Sequence, residues 1–145
     1  MLNKLLGIAC FCLLLSGTGK TLDFEYFSME TPQHWDYIEQ RGIDSFVGSI
    51  AIGKGDTLHF DYGNYSNSLT NKEKDHDYIY DTISNVKAKI CVPKIIGKGT
   101  TGVYFEMVSE KYSGTRLTIT GYKLKPENHK TFLEAIKTLK FKEFD

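Results

Sequence analysis

Apolar and polar residues alternate along much of the chain beyond position 20, the pattern of strands that bury one face. Leu22 to Met29 is β-rich and ends at Thr31-Pro32, and Trp35 to Gln40 reads as extended chain or a short helix. Phe46 to Ile52 and Thr57 to Tyr62 flank the turn residues Gly53-Lys54-Gly55-Asp56, which predicts a hairpin. Tyr78 to Ser84 and Lys87 to Val92, around Asn85-Val86, predict a second. Gly102 to Val108 and Thr115 to Tyr122, around Ser113-Gly114, predict a third. The polar stretches Gly63 to Ser68 and Asn71 to Asp75 read as a loop, and Gly97 to Thr100 as a turn.

The period changes once. Behind Pro126, the residues Phe132, Ala135, Ile136 and Leu139 recur at helical spacing in a segment that runs to Phe141. Lys137 and Lys140 fall near its C-terminal end, where cations suit the helix dipole. A single apolar stripe needs a single surface to pack on. Strands followed by one helix predict an α+β domain, an antiparallel sheet of about six strands packed by a C-terminal helix, over residues 20–145.

The first 19 residues follow another pattern. Lys4 precedes the apolar run Leu5 to Leu15, and Ser16, Gly17, Thr18 and Gly19 follow it. A basic start, a short apolar core and a small-residue exit predict a secretory signal peptide over 1–19, and the run is too short to span a bilayer. The stretch LSGTGKT, Leu15 to Thr21, fails as a phosphate loop because Leu14 stands where the motif needs its first glycine. Cys10 follows Ala9 and Cys12 follows the bulky Phe11, so lipid attachment is the lesser reading and a periplasmic or extracellular product the main one.

Eighteen basic and eighteen acidic residues cancel, and cleavage before Thr21 leaves a slight acidic excess. That balance argues against a nucleic-acid partner, and no polybasic stretch points to stable membrane association after cleavage. Only Cys91 survives export, so no intrachain disulfide can form. In KAKICV it shares a strand face with Lys87 and Lys89, which can stabilise a thiolate and make Cys91 a reactive-thiol candidate.

The opening Phe27-Ser28-Met29-Glu30-Thr31-Pro32-Gln33-His34-Trp35, the hairpin Ile83 to Ile90 and the closing Phe132 to Phe141 together resemble the PsbP-like superfamily. His34 and Asn85 stand where that family usually has glycine. The resemblance implies an α/β/α sandwich and a binding or accessory role, with no partner transferable.

Candidate chemistry is sparse. No serine has a G-x-S-x-G setting, and His34, His59, His76 and His129 show no ligand spacing, so neither cofactor nor metal is expected. In TLHFDY, His59 and Asp61 share the polar face, where the carboxylate can orient the imidazole for general-base or ligand work. Asp75, Asp77 and Asp81 form a weak acidic-loop candidate for calcium, although Ile79 and Tyr80 break the EF-hand pattern. Trp35, Tyr37, Tyr62 and Tyr65 are candidates to line a groove for a sugar ring or peptide. Asn64-Tyr65-Ser66 is a glycosylation sequon. Two functions follow as expectations: an exported non-enzymatic domain binding a protein, peptide or glycan, or a small hydrolase or redox protein using His59 with Asp61, or Cys91.

Overall fold

A computed structural model describes residues 19–70, 74–109, 111 and 114–142. The fold is α+β, mostly antiparallel sheet with one C-terminal helix. Among the described residues, ten strands replace the six or so expected, and they form two sheets. In the larger, the order is β3 (Asp36–Glu39), β4 (Phe46–Gly53), β5 (Asp56–Gly63), β9 (Arg116–Tyr122), β8 (Thr100–Phe105), β7 (Val86–Pro93) and β6 (His76–Ile83). The three predicted hairpins are the β4–β5, β6–β7 and β8–β9 pairs of this sheet.

The smaller sheet accounts for the miscount. The run Leu22 to Met29 is two strands, β1 (Gly19–Asp23) and β2 (Phe27–Pro32), reversed by a tight turn in which Phe24 N–H donates to Phe27 O at 2.9 Å. Gly19, assigned above to the leader, is the first residue of β1; the rest of that segment lies outside the described residues. Lys20 and Thr21 pair with Asp36 and Glu30 from this strand, so Gly-Lys-Thr is extended chain, not a phosphate cradle. The predicted helix stops early: α1 spans Pro126–Ile136, and Lys140–Phe141 become β10 on the other side of β2.

The two sheets meet through aromatic rings. Inward residues of β4 and β5 (Phe46, Gly48, Ile50, Ile52, Leu58, Phe60 and Tyr62) face Phe24, Phe27 and Met29. Phe24 stacks on Phe27 at 4.6 Å between centroids, and both meet Phe60 edge-on at 5.0 and 5.3 Å. Gly48 makes this possible: a Cβ there would sit 2.5 Å from the Phe60 ring and 2.7 Å from Tyr37. The helix covers the rest of the inner face with Phe132, Ala135, Ile136 and the following Leu139, all fully buried. The inner face therefore has a mixed cover, small sheet on one side and helix on the other.

The middle of the outer face is covered by coil. β5 and β6 are separated by β9, β8 and β7, so their connection must cross the sheet. Ser66 donates to Asp61 O on β5, Asn67 O accepts from Thr118 Oγ1 on β9, and Leu69 O accepts from Tyr78 Oη on β6. Between them Leu69 is pressed onto Cys91 and Tyr104. Gly102 makes room for it, since a Cβ there would meet Leu69 Cδ1 at 3.0 Å. Gly63 to Ser68, predicted as a polar loop, is thus part of a strap that continues through Leu69, while Asn71 to Glu73 of the prediction lie outside the described residues.

The helix start is fixed from a distance. Its N-cap residue, Lys125, supplies no side-chain cap. Instead Asp56, on the β4–β5 turn, accepts from Lys125 N–H and Asn128 Nδ2, each at 2.8 Å, and pairs with the Lys125 ammonium. Burial works against the Asp56 charge, yet the hydrogen bonds from Asn128 and Lys125 outweigh it and hold the carboxyl below its ordinary range. A depressed carboxyl stabilises the fold above its unfolded value and stops doing so as pH falls through the folded one. Asp56→Ala is expected to cost about 1–3 kcal/mol at pH 7 in urea unfolding. That difference should shrink as pH is lowered below 3.8, the group's ordinary value.

Candidate functional site

Where the two sheets splay apart at one end, they leave an open groove of about 1890 Å³. The β4 and β5 strands bring Phe46 and Tyr62 to it as the last inward residues at that end, and the β1–β2 turn brings Tyr26. The Tyr26 and Tyr62 rings stack at 4.5 Å with 5° between their planes, and Phe46 meets Tyr26 edge-on at 5.4 Å. Phe141, on β10, adds an aromatic edge deeper in, 5.0 Å from Phe105. All four groove aromatics are half-buried, apolar on one side and accessible on the other.

The rim is charged in both senses. Lys87, Lys140 and Lys142 stand with Glu25, Asp44 and Glu106 around the opening. Lys142 is held by Asp23 and by the Phe24 carbonyl, which ties β10 to the β1–β2 turn. At the far corner Ser84 Oγ donates to Leu139 O, pinning the β6–β7 turn to the end of the helix region. The Tyr62 hydroxyl is pushed above its ordinary range by burial, with the neighbouring Tyr26 adding to the shift. The Tyr26 shift has the same direction, caused first by its hydrogen bond with Glu25 and then by burial. Both phenols are therefore neutral hydrogen-bonding groups at physiological pH.

Of the four aromatics expected in a groove, the structure puts only Tyr62 there. Trp35 is 0% exposed, in the core cluster under both sheets, which corrects its assignment to a groove wall. Tyr37 packs edge-on against Phe24 at 5.0 Å, on the core side of β3. Tyr65 stands 84% exposed at the start of the strap, outside the groove lining, although the sequon residue Asn64 beside it lines the edge. Tyr26, Phe46 and Phe141 were missed. The signal for Phe46 and Tyr62 together was available: both end their strands' apolar alternation, and the hairpin register sets them opposite each other.

The polar candidates do not converge. His59 and Asp61 share the outer face as expected, but His59 Nδ1 takes the Ser49 hydroxyl at 2.8 Å as its partner. Ser49 is the residue directly across the ladder, a pairing that strand periodicity alone could not name. Asp61 Oδ1 is buried with no hydrogen-bond partner among the described residues. Ser49 is 2% exposed, so a substrate cannot reach its hydroxyl without movement of β3–β5. The other histidines are also in structural bonds: His34 to Ile52 O, His76 accepting from Thr100 N–H, and His129 to Thr101. No group of three His, Cys, Asp or Glu poised for a metal exists among the described residues. Asp77 and Asp81 lie on strand β6 and Asp75 just before it, so the expected acidic loop is largely extended chain.

Cys91 keeps the predicted face beside Lys89, yet the strap covers it and the residue is 0% exposed. That corrects its standing as a reactive thiol, which needs solvent access. The cover has a measurable consequence. Native protein should react with a maleimide far more slowly than unfolded protein, and Leu69→Ala, which opens the lid over Cys91, should raise the native rate at least about tenfold.

No helix among the described residues is long and apolar enough to cross a membrane. Compared with models of known protein families, with curated proteins and with solved structures, the chain matches none.

Proposed function

We propose that this chain is an exported, non-enzymatic binding domain whose inter-sheet groove holds an extended segment of a protein or peptide partner. The observation that carries the reading is the groove itself. Its volume of about 1890 Å³ exceeds the roughly 300–1,000 Å³ of pockets that enclose small ligands. An open trough with an aromatic wall and a rim of both charges suits a chain of mixed side chains, anchored by one apolar residue over Phe46 and Tyr62. Glycans, the other class expected from the aromatics, would exploit the same ring faces, but stacking of Tyr26 on Tyr62 already occupies one face of each.

Export rests on the leader pattern of Lys4 to Gly19. Membership of the PsbP-like superfamily is part of the proposal, supported by the quoted motifs and by an antiparallel sheet closed by a C-terminal helix. Against the sandwich that the resemblance implies, the second helical layer has no counterpart among the described residues, where the strap covers that face. A second reading, a small hydrolase, has one observation in its favour, the Ser49–His59 contact. It lacks an accessible nucleophile.

Peptides selected from a random library on the mature domain separate the readings. Selected peptides should lose at least about tenfold in affinity on Tyr62→Ala or Phe46→Ser, the effect of removing an interface anchor. His59→Ala should leave affinity near wild type, with a loss of stability of at most about 1–3 kcal/mol from the Ser49 hydroxyl left without its partner. Binding indifferent to Tyr62 and Phe46 would overturn the groove, and covalent labelling of Ser49 by a fluorophosphonate would establish the hydrolase instead.

A further inference from the structure

Strand β6 is an edge of the larger sheet, and no described strand pairs with it on the side away from β7. The opposite edge, β3, has four residues; β6 has eight. Natural edges of this length are commonly blunted by charged side chains, proline or a bulge. His76 to Ile83 has no proline and its register with β7 runs without a shift from end to end, so Asp77 and Asp81 are the charges that guard it.

The hydrogen-bond phase of this edge can be derived. Ser84 and Asn85 both have positive φ, 49° and 63°, which makes a two-residue primed turn closed by the pair Ile83–Val86. The closing pair is hydrogen-bonded, and bonded pairs alternate along an antiparallel ladder. Ile83, Asp81, Ile79 and Asp77 therefore spend their backbone groups on β7, while those of Thr82 and Tyr80 point away from the sheet. Two contacts agree with this phase. Lys94 N–H donates to Asp75 O, one bonded pair further along, and Thr82 N–H is turned outward onto its neighbour Asp81 Oδ1 at 2.7 Å. His76 faces Pro93, which has no N–H to donate, at a non-bonded position.

The side chains of the edge carry a code. Asp77, Ile79 and Asp81 lie on one face at successive alternate positions, with Ile79 half exposed and both aspartates exposed. Tyr80, on the other face, is 75% exposed. A strand added at this edge would bond to the outward backbone groups, which leaves Asp77, Ile79 and Asp81 in the non-bonded pairs where cross-strand side chains come closest. A second copy of this chain is disfavoured in the register that pairs Ile79 with itself. Antiparallel pairing of β6 with itself centred on Ile79 sets Asp77 against Asp81 twice, like charges in direct opposition.

We infer that the β6 edge is a second docking surface, which takes an extended segment of a partner carrying basic, apolar and basic residues at alternate positions. The lysine or arginine side chains face Asp77 and Asp81, the apolar one covers Ile79, and the backbone extends the sheet by one strand. This surface is separate from the groove, whose lining includes no residue of β6.

The test uses the mature domain and two labelled nine-residue peptides of high β propensity. One has Lys-x-Val-x-Lys at its centre, and the other has Glu-x-Val-x-Glu. Fluorescence anisotropy should show binding of the lysine peptide at least about tenfold tighter, as two opposed charge pairs imply. Asp77→Lys with Asp81→Lys should reverse the preference. Tyr80→Pro gives the sharper control, because its N–H points away from β7 and its loss leaves the β6–β7 ladder intact. That variant should keep wild-type stability and lose the lysine peptide. Equal binding of both peptides, retention of binding in Tyr80→Pro, or a concentration-dependent dimer in ultracentrifugation that Tyr80→Pro abolishes would each overturn the inference.

Discussion

Two sheets of unequal size are held together by the contact of Phe24, Phe27 and Phe60, and most other features follow from that contact. A three-stranded sheet cannot bury its apolar face alone, and aromatic rings offer large apolar area with defined stacking and edge-on geometries. With Phe24 on Phe27 and both edge-on to Phe60, the small sheet can sit in only one place across β4 and β5. Gly48 keeps that place open by withholding a Cβ. Once the small sheet is fixed on one side of the inner face, the helix has the other side. The two covers leave the groove at one end, where the half-buried rings of Tyr26, Phe46, Tyr62 and Phe141 line it.

Polar anchoring then locks elements that the rings do not reach. Asp56 gathers the helix start onto the β4–β5 turn, Thr138 Oγ1 accepts from Glu30 N–H to bind the helix end to β2, and Lys142 joins β10 to the β1–β2 turn. Each bond spans a long stretch of sequence, and the Lys142 contacts tie the β10 wall of the groove to the β1–β2 turn. On the proposed reading this preforms the groove, which lowers the ordering cost that a bound segment must offset.

Local periodicity made much of this legible. Alternation found the three hairpins, and the helical stripe behind Pro126 found α1, because both signals are carried by consecutive residues facing one core. The small sheet was hidden for a physical reason. Leu22 to Met29 is β-rich with no glycine, proline or asparagine to punctuate it, so the reversal is marked only by the break in alternation at Tyr26-Phe27. Phe141 reads as part of the helical segment because the apolar stripe runs to Leu139 just before it, whereas its backbone leaves the helix and joins β2.

The sites were harder. Which face of a strand a residue occupies follows from its position, and His59, Asp61 and Cys91 all fell on the faces expected. What covers that face depends on the path of the β5–β6 connection, and a strap of polar composition gave no hint that Leu69 would bury Cys91. Trp35 failed for the converse reason: a large aromatic near a strand end suits a groove rim and a core equally, and only packing decides. The most direct measurement is a map of backbone and aromatic NMR shift changes as a library-selected peptide is added. The account predicts changes concentrated on Tyr26, Phe46, Tyr62 and Phe141. Changes centred on Ser49, His59 and Asp61, with the groove aromatics unmoved, would contradict it.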